Sequence, residues 1–140
     1  MLTKIRLVSH FHARDTNLIL EKMTQPYFDE AIEAATQCAK ECDMCIVDCV
    51  RNNDVARLRE CILSCLDCAD LCRTAISLMS RTSEHSREFL EFSREAINQC
   101  RDICKKCKDV PTCVTCSQAC EHLSSLSRRL EKSFVPGFTQ

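Results

Sequence analysis

Fourteen cysteines recur through this chain at intervals of three or four residues within each of four groups, and this spacing constrains the fold more than any other feature. Alternating steps of three and four place side chains on one face of an α-helix. Each group therefore predicts one helix that carries a continuous stripe of thiols, and the core of the folded chain is predicted to be lined with sulfur.

The rest of the composition favours the same all-α fold. One glycine and three prolines in 140 residues leave few turn-forming positions, so the chain is expected to be helical nearly throughout and to form one domain. Short connections of about three to five residues between the expected helices predict an antiparallel up-down-up-down four-helix bundle. The bundle is expected to span residues 24–132. An N-terminal extension (1–23), with or without a short helix, precedes it, and a C-terminal tail (133–140) follows it.

The helix boundaries follow from capping residues. The first helix is expected over about 26–50, and the second from a cap at Asn53 or Asp54 to about 80. The third is expected over about 84–108, after a turn at 81–83. The fourth is expected to use Asp109 as its N-cap and Pro111 in its first turn, and to end near 132.

Antiparallel helices bring the thiols into layers across the bundle. The predicted layers, from one end inwards, are Cys49 with Cys61, Cys107 and Cys113, then Cys45 with Cys65, Cys104 and Cys116, then Cys42 with Cys68, Cys100 and Cys120, and finally Cys38 with Cys72. Ala96 and Leu123 are expected to complete the last layer. Beyond it the stripe continues as apolar residues, namely Ala31, Ala34, Ile76, Met79, Phe89, Phe92, Leu126 and Leu130.

Charge and motif content exclude several classes of function. The net charge of −1 provides no basic surface that would attract nucleic acid or an anionic membrane. The chain contains no stretch of about 20 apolar residues, so no membrane span is predicted. No nucleophile paired with a base, glycine-rich phosphate loop or pair of catalytic carboxylates is evident, so an enzyme is not expected. The N-terminal sequence has no apolar run of signal-peptide length, which favours a cytoplasmic protein.

Charge balance selects the metal that such a core would hold. Fourteen buried thiolates would cost more than the whole stability of a domain, about 5–15 kcal/mol, so the metal must cancel the charge that it creates. Tetrahedral zinc in stacked layers of four thiolates leaves two negative charges per layer. A monovalent soft ion such as Cu(I) is neutral at one ion per thiolate, which predicts a store of many Cu(I) ions.

Three alternatives remain beside copper storage. Structural disulfides would make the chain a helical interaction module, although cysteines three or four apart on one helix are too distant for a bridge and would have to pair between helices. Zinc and iron–sulfur clusters are the other two alternatives, since both are held by cysteine.

Four sequence segments carry a resemblance to a known family: QCAKECDMCIVDC, ECILSCLDCADLC, QCRDICKKC and TCVTCSQAC. Over about residues 26–132 the chain resembles the bacterial four-helix-bundle copper storage proteins. The resemblance implies Cu(I) held mainly by core thiolates, a homotetramer of bundles, and a family with cytosolic as well as exported forms. The chain departs from the family in having only three cysteines in each of its last two groups, which implies a lower capacity at one end.

Histidine and methionine offer further candidate ligands. Met79 and His85 lie at the apolar end of the stripe and are expected to be a core methionine and a capping histidine, while Met44 and His122 flank the stripe and are expected at the surface. His10 and His12 are a weak metal-recruiting pair near the N-terminus.

Overall fold

The computed structural model describes residues 26–132, and these form four α-helices. Their bounds are α1 Pro26–Arg51, α2 Arg59–Ser80, α3 Ser86–Lys106 and α4 Pro111–Lys132. The expected extension (1–23), its short helix, the His10–His12 pair and the tail (133–140) lie outside the described residues.

The four helices form an antiparallel bundle in which each helix packs against two neighbours. α1 contacts α2 and α4, and α3 contacts the same two helices. The connections are short, and this forces consecutive helices to run in opposite directions. The predicted all-α, up-down-up-down four-helix bundle is confirmed. None of the helices in the described part is long and apolar enough to cross a membrane.

α2 begins later than the sequence predicts, at Arg59 instead of after Asp54. The Asn52 side chain accepts a hydrogen bond from the Asp54 backbone N–H (2.9 Å), and the Arg57 and Leu58 N–H groups then bond to carbonyls three residues back. Asn52 thus starts a tight turn, because a short polar side chain competes for backbone donors. The predicted cap at Asn53 or Asp54 is therefore wrong, since the N-cap residue of α2 is Leu58 and it makes no side-chain capping bond.

The ends of α3 and α4 also differ from their expected positions. α3 ends at Lys106, so that Cys107 is its C-cap with φ −102° and ψ 53°. α4 begins at Pro111, where the missing N–H is no loss to a first turn. Asp109 therefore lies before the cap position, and its carboxylate binds Arg57 instead.

The core has a sulfur half and an apolar half. All fourteen cysteines lie toward the end formed by the connections 52–58 and 107–110, here called the sulfur end. The other half buries aliphatic side chains together with the methionine predicted there, among them Ala31, Ala34, Met79, Leu90, Ile97, Leu123, Leu126 and Leu130.

Two residues of the predicted apolar stripe were assigned wrongly. Ile97 is 1% exposed and takes the core position expected for Ala96, which is only partly buried. Phe92 is 70% exposed instead of lying in the core. Both errors arise because steps of three and of four are both compatible with one helix face, and the structure takes the three-residue step from Cys100 to Ile97.

The sulfur end is closed by Leu58 and Val110, which are 0% and 4% exposed. The two connections that carry them are tied together by Arg57. Its Nη2 donates to Asp109 Oδ2 at 2.6 Å and its Nε donates to Asp54 Oδ2 at 2.9 Å. A single guanidinium therefore links the α1–α2 connection to the α3–α4 connection across this end of the bundle.

Replacing Leu58 by alanine is expected to destabilise the metal-free protein by about 2–5 kcal/mol, because a fully buried side chain leaves a cavity. Urea unfolding of the reduced protein measures this change. Val55→Ala is the control, since Val55 lies in the same connection and is 42% exposed. Equal losses for the two variants would contradict the role of Leu58 as a core plug.

Candidate metal centre

The predicted thiol stripe faces the bundle axis along all four helices. All fourteen cysteines are buried and present as free thiols. Thirteen of them are 1% exposed or less, and Cys107 is 8% exposed. The spacing explains this arrangement, because steps of three and four turn every thiol toward the same inner face of its helix.

The thiols converge in four groups of four in which all Sγ atoms lie within 4.8 Å of one another. Neighbouring groups share members, and the twelve cysteines involved form one connected set. The four groups, here called quartets, are Cys45–Cys49–Cys61–Cys113, Cys45–Cys61–Cys65–Cys104, Cys42–Cys65–Cys100–Cys116 and Cys38–Cys42–Cys68–Cys120. A chain of linked soft-metal sites can therefore run along the axis of the sulfur half.

Individual sulfur atoms touch across helix boundaries. Cys45 Sγ lies 3.2 Å from Cys113 Sγ, and Cys61 Sγ lies 3.6 Å from Cys104 Sγ. A disulfide bond is about 2.05 Å long, so these pairs are contacts between thiols and not bridges. Each contact joins two different helices, which means that a bound ion could take ligands from several helices at once.

The register between α1 and α4 differs from the predicted layers by one thiol. Cys42 Sγ lies 3.6 Å from Cys116 Sγ, and Cys38 Sγ lies 3.7 Å from Cys120 Sγ. The layers had paired Cys42 with Cys120 instead. α1 is displaced in the same sense relative to α2, since Cys45 Sγ lies 3.8 Å from Cys61 Sγ and Cys38 Sγ lies 3.8 Å from Cys68 Sγ. The spacing of the cysteines within each helix does not reveal how far one helix lies along another.

Two of the predicted ligands lie outside the quartets. Cys107 is displaced because α3 ends one residue before it, and its Sγ lies 3.6 Å from the Ile103 carbonyl oxygen. Cys72 lies at the border with the apolar half and is 1% exposed. The sequence pattern treats both as ordinary members of the stripe, so only the structure separates them from the other twelve.

Burial favours the neutral form of thiols in this core. Desolvation is the main cause that raises the pKa of Cys107 from 9.0 to about 11, with Cys61 and Cys113 adding to the rise and Arg57 opposing it. Desolvation likewise raises the pKa of Cys49. Cys49 and Cys107 are therefore protonated near neutral pH, and a metal that binds them must displace their protons.

Metal-free protein is expected to lose stability in alkaline solution. Because the pKa of Cys107 is higher in the folded chain than its ordinary 9.0, the folded state holds more protons between pH 9 and about 11. The stabilisation is complete below pH 9 and is lost as the pH rises through 11. Urea unfolding under reducing conditions at pH 8 and pH 10 measures this loss. In Cys107→Ser the alkaline loss should be smaller, and an equal loss would contradict the assignment.

The histidine and methionine candidates do not join the quartets. Met79 is buried at 2% in the apolar half, as expected. His85 is the N-cap residue of α3 but makes no capping side-chain bond, since Ser83 Oγ accepts the His85 N–H instead. His122 and Met44 are exposed. No sequence signal identified Arg57, Leu58 or Val110 as residues of the sulfur end, apart from their positions in the connections beside the cysteine groups.

The families and solved structures that this chain resembles agree with this geometry. Residues 24–132 match the sequence profile of a family described as copper storage protein. Among curated proteins, the cysteine-rich protein YhjQ of Bacillus subtilis (strain 168), itself uncharacterised, is 31% identical over 64 residues. That match covers 46% of this chain and 59% of the relative, so less than two thirds of the relative is matched.

Solved structures with the same fold include two copper storage proteins. The Cu(I)-bound protein BsCsp3 superposes with a TM-score of 0.70 at 28% identity, over 74% of this chain and 96% of that one. The cytosolic copper storage protein of Streptomyces lividans, with five coppers, superposes with a TM-score of 0.74 at 25% identity, over 78% of this chain and 95% of that one. Its form loaded with 10 copper equivalents gives a TM-score of 0.73 at 26% identity, over 77% and 86%.

Proposed function

This chain belongs to the copper storage protein family, and from that premise we propose that it stores many Cu(I) ions as thiolate complexes along the axis of its bundle. The single observation that carries the proposal is the set of four linked quartets, in which twelve buried Sγ atoms form a continuous ligand field. All fourteen cysteines are proposed as ligands, with Cys72 and Cys107 as the two ends of the array.

Charge explains why the ion should be monovalent. One divalent ion in each of the four quartets would bring eight positive charges to twelve thiolates, and the buried remainder would cost several kcal/mol per uncompensated ion. Cu(I) at about one ion per thiolate leaves no net charge, and it is a soft ion that thiolates prefer. The same balance disfavours zinc as the natural cargo.

Iron–sulfur clusters and structural disulfides fit the sulfur packing less well. Neighbouring Sγ atoms from different helices already lie 3.2–4.0 Å apart, so inorganic sulfide would have to push the helices away from one another. A disulfide-linked interaction module would need oxidised cysteines, and a core with fourteen free thiols would have to rearrange into pairs.

Anaerobic titration of the reduced protein with Cu(I), in competition with a chromophoric chelator, tests the proposal. Saturation is expected at about one ion for each of the 14 cysteines, because that ratio cancels the thiolate charge. Zn²⁺ is the matched comparison and should saturate at far fewer equivalents. Copper saturation at one or two equivalents would contradict storage, and a thiol count near zero in freshly isolated protein would favour the disulfide module.

We also propose that the chain forms a homotetramer, that it lies in the cytoplasm and that it is not an enzyme. The family resemblance supports a homotetramer, and exposed apolar side chains on the outer faces of α1 and α2 offer a surface for it, namely Val47, Val50, Leu63 and Leu66. Free thiols persist in a reducing compartment, which supports a cytoplasmic location. Light scattering of the reduced protein should give about four times the 16.0 kDa chain mass, and a 16.0 kDa particle would contradict the tetramer.

A further inference from the structure

Cys107 is the thiol through which the sulfur array reaches the surface. It is 8% exposed, whereas the other thirteen cysteines are 1% exposed or less. Its backbone leads directly to the array, because the Cys107 carbonyl accepts the Val110 N–H at 3.1 Å and the Val110 carbonyl accepts the Cys113 N–H at 2.9 Å, while Cys61 lies in the same quartet as Cys113. That quartet is the outermost one, so Cys107 is adjacent to the array without being a member of any quartet.

The opposite end of the array has no comparable contact with solvent. Cys72 and Cys38 border the apolar half, where Met79, Ile97 and Leu123 are all buried at 2% or less. A Cu(I) ion moves between thiolates by ligand exchange and needs a sulfur atom within reach at every step. Aliphatic side chains give no such step, so the sulfur end is the only thiol-lined route among the described residues.

The surface around Cys107 is basic although the whole chain carries a net charge of −1. Residues 50–60 and 105–112, which surround the sulfur end, hold six basic and three acidic side chains, a net charge of +3. All nine are exposed. The basic ones are Arg51, Arg57, Arg59, Lys105, Lys106 and Lys108. Exposed charges of one sign around an opening raise the local concentration of ligands with the opposite sign.

Arg57 is one of the basic residues of the sulfur end. Its guanidinium joins the two connections by binding Asp54 and Asp109. The two carboxylates offset its charge, so the net positive charge of this end comes from the other basic side chains, which include Lys105, Lys106 and Lys108.

We propose that the sulfur end is the loading site of this protein, where Cys107 receives Cu(I) from an anionic thiolate complex that the surrounding basic side chains attract. The proposal rests on the proposed storage function and identifies the chemical class of the copper donor. Copper then passes from Cys107 to Cys61 and Cys113 and onward along the quartets.

The transfer step is a balanced ligand exchange. A donor complex of one Cu(I) and two thiolates carries one negative charge. The sulfur of Cys107 forms a new bond to the copper, one donor thiolate leaves, and the proton of the Cys107 thiol passes to that leaving thiolate. The mixed complex keeps the single negative charge, and a second exchange with a core thiol releases the remaining donor thiol. No oxidant or reductant is consumed.

Stopped-flow transfer from the Cu(I) bis-bicinchoninate complex, an anionic chromophore, tests the role of Cys107 under anaerobic conditions. We expect Cys107→Ser to lose most of the fast phase of transfer and to lose at most about one ion of final capacity. Val114→Ser, at an exposed position near the start of α4 that holds no thiol, should keep the fast phase. A fast phase that survives in Cys107→Ser would overturn the proposal, while the capacity at saturation reports separately on storage.

Charge reversal tests the basic surface. The variant Lys105→Glu/Lys106→Glu/Lys108→Glu should slow transfer from the anionic donor by about tenfold or more at low salt, and the difference should shrink as salt screens it. Transfer from a cationic Cu(I)–acetonitrile complex should not slow. The control Arg128→Glu/Arg129→Glu/Lys132→Glu makes the same charge change at the far end of α4. Equal slowing by both triple variants would overturn the proposal, because only the net charge would then matter.

Discussion

Copper loading is expected to raise the unfolding free energy of this protein by more than the whole stability of the metal-free chain. A ligand that binds only the folded state at 1,000 times its dissociation constant adds about 4.1 kcal/mol per site. A domain of this size has a total stability of about 5–15 kcal/mol, so a few filled quartets already match it. Anaerobic thermal unfolding followed by circular dichroism should show the transition moving upward with each added equivalent until saturation.

Zn²⁺ provides the comparison for that experiment. Because zinc in linked quartets leaves uncompensated buried charge, successive equivalents should add progressively less stability than Cu(I) does. A rise in the unfolding temperature that ended after the first equivalent of copper would contradict a linked array. Equal gains from both metals would show that charge balance does not select the ion.

The second large effect is expected from removing two shared thiols. Cys45 and Cys61 both belong to the same two quartets, so the variant Cys45→Ser/Cys61→Ser leaves half of the quartets with only two thiols each. Copper capacity should therefore fall by more than the two ions that two thiols would hold at one ion per thiolate. Competition titration with a Cu(I) chelator measures the remaining capacity.

The matched control removes the two thiols that lie outside the quartets. Cys72→Ser/Cys107→Ser also deletes two cysteines, but it leaves all four quartets complete. Its capacity should fall by about two ions at most. Equal losses in the two double variants would mean that each thiol binds independently, and the linked arrangement of the sites would then be wrong.

The sequence could predict the bundle because one periodicity sets both the helices and their buried face. The steps of three and four in the cysteine groups assigned all fourteen thiols to the core, and all fourteen are buried. The scarcity of glycine and proline pointed to helices with short connections, and the described residues form four such helices.

The pairing of thiols between helices could not be predicted in the same way. Periodicity places a residue on a face but says nothing about how far one helix slides along another, so the α1–α4 register was missed by one thiol. The position of Cys107 depends on where α3 ends, and that end is set by the backbone conformation of one residue. Helix ends are the least certain part of any assignment from sequence.

The apolar half of the core has a consequence for how the protein can be used over time. Many small metal domains unfold when their metal leaves, because the metal supplies their folding energy. Here aliphatic side chains such as Leu90, Ile97 and Leu123 pack together without any help from sulfur. We therefore expect the bundle to stay folded when copper leaves, so that one copy of the chain could be emptied and filled again without new synthesis.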